Sequence, residues 1–108
     1  MKRIVSLNNF EDDYYSLKKY IFELGGDNKQ NIKYLKKAML KAIDCELGER
    51  QAFILKKHFF EGFSVTETAD MLGVNKSTVS RSIKRSIGIL KRVLKYAAYA
   101  LSLVEREE

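Results

Sequence analysis

The chain has 108 residues, 45% hydrophobic and 31% charged, with no Pro, six Gly, one Cys and one His. That is the size of one domain and the profile of a globular chain, and it argues against disorder, low complexity and collagen-like repeats. Cys45 alone forms no internal disulfide, and Cys45 with His58 cannot fill the usual four zinc positions, so neither a metal nor a cofactor is expected.

Met1-Lys2-Arg3 has the charge of a secretory leader, but no apolar stretch follows. Residues 1–8 read as a short leader, disordered or extended. Asn9 is a good N-cap, followed by Glu11, Asp12 and Asp13 where the helix dipole favours acids. Phe10, Tyr14, Leu17, Ile21 and Leu24 recur at steps of four and three, the apolar stripe of a first helix that Gly25-Gly26 ends. Asp27 to Asn31 reads as a polar loop. A second helix follows, with Ile32, Leu35, Met39, Ala42 and Ile43 on one side and Lys33, Lys36, Lys37 and Lys41 largely on the other. It stops near Leu47-Gly48. A third helix is predicted from Glu49 to Glu61, ended by Gly62, with His58 a partly buried residue within it. No segment alternates as a strand would.

The next segment has the clearest local grammar. Ser64-Val65-Thr66-Glu67 is a capping box, in which Ser64 caps the helix and Glu67 reaches back to the Ser64 amide. This helix is short, because Gly73 ends it and Asn75 caps another that begins at Lys76. A short helix, a tight turn and a long helix predict a helix-turn-helix. Ala69 is small where the second helix crosses, Gly73 takes positive φ, and Val74, Val79 and Ile83 point into the core. Such a motif places its second helix in the major groove, N-terminal residues on the base edges.

Charge agrees with this. The formal net charge is +6, yet no acidic residue lies between Asp70 and Glu105. That interval holds Lys76, Arg81, Lys84, Arg85, Lys91, Arg92 and Lys95, which is +7, so the rest of the chain sums to −1. One basic segment on a near-neutral protein is the footprint of a polyanion binder.

The residues Leu47 to Leu94 resemble region 4 of the sigma-70 family of bacterial RNA polymerase sigma factors. The matching pieces are L-x-E-R-Q at Leu47 to Gln51, F-F-E-G-F-S at Phe59 to Ser64, E-T-A-D-M-L-G-V at Glu67 to Val74, and S-T-V-S-R-S-I-K-R at Ser77 to Arg85. The likeness extends more loosely back through 32–46. It implies a compact helical domain whose final helix enters promoter DNA at the upstream element, and a contact with the β flap of RNA polymerase. It also implies a bacterial or phage source, Gram-positive bacteria and their mobile elements being the nearest setting. Two departures bear on function. Nothing resembles region 2, so the chain is not expected to direct initiation alone, and residues 1–30 match nothing in the family.

The resulting expectation is an all-α fold, a helical bundle of about five helices with a helix-turn-helix. One domain spans 1–108, with an N-terminal helix or arm over 1–30, a region 4-like core over 32–96 and a C-terminal helix end over 97–108. The recognition helix covers about 75–87. On it Lys76, Ser77, Ser80, Arg81 and Lys84 share a broad face opposite Val79 and Ile83. Ser77, Ser80 and Arg81 are assigned to base edges, Arg81 foremost, since a guanidinium grips the O6 and N7 of guanine together. Lys76, Thr78, Lys84 and Arg85 are assigned to phosphate, and Asn75, as the cap, to the same interface. Ser64 and Thr66 join them through the amides of their helix N-terminus. Lys91, Arg92 and Lys95 lie further on and contribute field more than contacts.

The stretch Tyr96 to Val104 is apolar on most sides and is expected to be buried on the N-terminal stripe; the alternative is a homodimer interface. It is too short to span a bilayer, so no membrane role is expected and the location is cytoplasmic. Gly88 is expected to mark a bend or a close helix contact. The function expected is a DNA-binding transcription regulator acting on double-stranded DNA, with RNA polymerase core as a further partner. The alternatives are an adaptor on RNA polymerase, or a phage DNA-packaging recognition subunit with the same fold. No acid pair, phosphate loop or nucleophile elbow points to an enzyme.

Overall fold

A computed structural model describes the backbone of residues 7–107 and the side chains of residues 15–104. Among these the fold is all-α: α1 (Leu7–Gly25), α2 (Lys29–Glu46), α3 (Glu49–Leu55) widening into a π turn over Lys56–Phe60, α4 (Val65–Leu72) and α5 (Lys76–Glu107).

α1 starts at Leu7, so Asn9 stands inside its first turn rather than capping it. Leu17 and Ile21 are buried and Leu24 half-buried, as the apolar stripe requires, while the side chains of Phe10 and Tyr14 and the first six residues of the expected leader lie outside the described residues. α2 begins three residues before the expected Ile32. Asn28 caps it, Oδ1 accepting from the Asn31 amide at 3.0 Å, so Lys29 to Asn31 of the expected loop are helical and Asp27 and Asn28 stay outside the helix. Leu35, Ala42 and Ile43 are buried and Lys33, Lys36, Lys37 and Lys41 exposed.

The third helix is not α-helical to Glu61. After Leu55 it takes one π turn, in which the Glu61 amide donates to the Lys56 carbonyl at 3.1 Å. His58, expected to be partly buried, has no exposed surface. Its Nδ1 lies 2.8 Å from the Phe63 carbonyl; a carbonyl only accepts, so that nitrogen carries the proton. This bond holds the chain through the bend at Gly62 and into α4.

The capping box forms as the sequence requires. The Glu67 amide donates to Ser64 Oγ at 3.0 Å and the Ser64 amide donates to Glu67 Oε1 at 2.8 Å. Gly73 ends α4 with φ +69°. Ala69 is buried where α4 meets α5, Val79 and Ile83 lie wholly in the core, and Val74 is half-buried against it.

α5 organises the rest. Its 32 residues rise about 48 Å, close to the 52 Å long dimension of the molecule. Val79, Ile83, Ile87, Leu90 and Leu94 form its buried edge, and α1, α2, α3 and α4 all pack on it. Each fully buried Leu or Ile contributes about 1.5–3 kcal/mol. The C-terminal stretch is covered on one side only: Ala97, Ala98 and Leu101 pack on the core, while Tyr96, Tyr99, Leu103 and Val104 are exposed. Its apolar residues are too many for the single face that a neighbouring helix can cover.

Candidate nucleic-acid interface

The capped start of α4 and the left-handed turn at Gly73 fix the angle at which α5 leaves the bundle. Burial of Val79, Ser82, Ile83 and Ser86 then settles which side of α5 faces water. Lys76, Ser77, Arg81, Lys84 and Arg85 are exposed on that side, and Thr78 and Ser80 are half-buried at its margin. Asn75, immediately before the helix, is exposed; its carbonyl accepts from the Thr78 amide at 3.1 Å.

Arg81 and Arg85 stand one turn apart, with Lys84 between them. Like charges at this spacing repel on an isolated helix. The ion pairs Lys56–Asp44 (3.2 Å) and Lys57–Glu61 (3.0 Å) join the π turn to α2 and to the residue that follows it. A bound polyanion would relieve repulsion between Arg81 and Arg85.

The two expected positions on α4 differ from each other. Thr66 is exposed beside the helix N-terminus. Ser64 is only 7% exposed and its hydroxyl is engaged in the cap, so it shapes the helix N-terminus and offers no free side chain.

Lys91, Arg92 and Lys95 do not act as one group. Lys91 turns inward: its Nζ donates to Ser16 Oγ at 3.0 Å and lies 5.4 Å from the centre of the Tyr20 ring. Arg92 and Lys95 are exposed in line with Arg81 and Arg85. Gly88 stands in the same line. α5 continues unbroken through it, and a Cβ built there meets nothing within 4 Å, so the expected close helix contact is not found. The spacing of Arg81, Arg85, Gly88, Arg92 and Lys95 (steps of four, three, four and three) is legible in the sequence and is the signal that singles out Gly88. Among the described residues no group of three or more His, Cys, Asp or Glu could hold a metal ion, and no helix is long and apolar enough to cross a membrane.

The family described as Sigma-70, region 4 matches residues 37–88, just under half of the chain. No curated protein and no solved structure matches it. The matched span runs from within α2 to Gly88 in α5 and takes in α3, the π turn and the whole helix-turn-helix, leaving α1 outside. Residues 37–88 thus resemble the helix-turn-helix domain of sigma-70 region 4, and that likeness suggests DNA binding.

Proposed function

We propose that this chain is a cytoplasmic transcription regulator that reads double-stranded DNA with the N-terminal third of α5 and works together with RNA polymerase. The single observation that carries the reading is the exposed face of Ser77, Arg81, Lys84 and Arg85, in a stretch of sequence without acids, on a helix locked to the core by Val79 and Ile83. Arg81 and Ser77 face the base edges, with Ser80 at the margin. Arg81 is the residue for a guanine, because its fork of donors matches two acceptors on one base edge. Lys76, Thr78, Lys84 and Arg85 hold phosphate on either side. Asn75 and Thr66, at the starts of α5 and α4, lie where helix N-termini attract a phosphate. The β flap of RNA polymerase is the protein partner that the family suggests, and α1 is an added element of the same single domain.

The test is selection of bound duplexes from a randomised pool across a salt series, with Arg81→Ala beside the wild type. Five neutralised phosphates give a slope of log affinity on log salt of roughly −4 to −5. Enrichment of one motif with such a slope, lost in Arg81→Ala, supports a sequence-reading regulator. A twofold-symmetric motif adds a homodimer. No enrichment and a slope near zero overturn the reading; capture of core polymerase would then favour the adaptor, and a ring-sized species the packaging subunit.

A further inference from the structure

We infer that Gly88 marks the place where a DNA sugar–phosphate strand crosses α5, and that Arg92 and Lys95 grip phosphates beyond the crossing. This rests on the reading of α5 as the helix in the major groove.

Glycine inside a helix is destabilising relative to alanine, because it gives the unfolded chain more freedom to lose. Two features within a fold can require it, and neither is present at Gly88. The described glycines with positive φ are Gly26, Gly62 and Gly73; Gly88 lies within the continuous helix Lys76–Glu107. Nor does a neighbour crowd it, since a Cβ would stand in open space. The position is also exposed. What remains is a partner from outside that comes closer to the helix backbone than a side chain would allow.

Its place on the helix identifies that partner. Gly88 sits in the exposed line Arg81, Arg85, Gly88, Arg92, Lys95, with a guanidinium one turn before it and another one turn after it. A gap flanked by two cations fits an anionic strand laid across the helix. From Ser77 to Gly88 the helix rises ~16 Å, which exceeds the ~12 Å width of the major groove. A helix entering by its N-terminal end therefore leaves the groove near Gly88, where the strand that bounds the groove must pass. Arg92 and Lys95 lie ~6 Å and ~10 Å further along the axis. The ligand class is the phosphodiester backbone, which carries no base identity, so these contacts add affinity without sequence preference.

The experiment measures affinity for a mixed-sequence duplex across a salt series, beside the melting temperature, for the wild type, Gly88→Ala, Gly88→Leu, Arg92→Ala and Arg92→Lys. Gly88→Ala is expected to raise the melting temperature and yet weaken DNA binding roughly tenfold, with Gly88→Leu weaker still. Arg92→Ala is expected to flatten the salt slope by about one, and Arg92→Lys to restore it. A structural role for Gly88 would move stability and affinity in the same direction, so the opposed signs are the signature. Gly88→Ala that melts higher and binds as the wild type does overturns the inference, as does an unchanged slope in Arg92→Ala. A wild-type chain that holds no duplex overturns both this inference and the DNA reading beneath it, whereas normal wild-type binding with unaffected variants overturns this inference alone.

Discussion

The ammonium of Lys91 donates to the hydroxyl of Ser16 at 3.0 Å, joining α5 to α1 across the side of the bundle. The same ammonium stands over the Tyr20 ring, 5.4 Å from its centre. Two neighbours in sequence, Lys91 and Arg92, therefore face in different directions: one secures the N-terminal helix and the other faces solvent.

This separation gives a first prediction. Lys91→Ala is expected to cost about 1 kcal/mol of stability, the usual net value of one such hydrogen bond. Its slope of DNA affinity on salt should equal that of the wild type. Thermal melts and a salt titration check the pair of outcomes, and a slope lowered as in Arg92→Ala would place Lys91 at the DNA.

The capping box gives a second. Ser64→Ala and Glu67→Ala should each cost ~1 kcal/mol. The double variant should cost less than the sum, because the two side chains serve one reciprocal pair of bonds. Denaturant unfolding of the four proteins closes the cycle. Strict additivity would mean that the two bonds form independently.

Gly73 gives a third. With φ +69° and open space where a Cβ would stand, Gly73→Ala meets no clash, and its whole cost is backbone strain. That cost is about 1–2 kcal/mol, and smaller for Gly73→Asn, since asparagine tolerates the left-handed region. Equilibrium unfolding of the two variants tests the order, which reverses if the turn relaxes to another conformation.

His58 gives a fourth. His58→Leu keeps an apolar body in the core but leaves the Phe63 carbonyl without its Nδ1 donor. A loss of about 1–3 kcal/mol is expected. Because that bond fixes the approach to α4, hydrogen exchange should quicken at the amides of residues 61–66 before it does so in α2. Uniform quickening would show that His58 acts only through the bulk of the core.

The parts legible in the sequence are those decided by residues three or four apart. Ser64 and Glu67 define their cap between themselves, Gly73 ends α4 by its left-handed conformation, and Val79 with Ile83 fixes which side of α5 is wet. The π turn at Lys56–Phe60 was not legible, because the same side chains suit an α turn and the choice between the two is made by packing. The start of α2 was misplaced for a different reason. The polar run from Asp27 to Asn31 suits a loop and an exposed first helical turn equally well, and the bond from the Asn31 amide to Asn28 decides between them. The inward turn of Lys91, unlike the exposure of Arg92 and Lys95, was not legible, because its direction depends on α1, distant in sequence.

One consequence follows from α5 contacting every other helix while carrying the exposed basic face. In this molecule the basic face and the frame are one rod, a single continuous helix. Arg81 and the exposed ring of Tyr99 both stand on that rod. The two residues are held ~27 Å apart by the rise of the helix alone. The rod is therefore a gauge: whatever meets Tyr99 stands at a set distance from whatever meets Arg81.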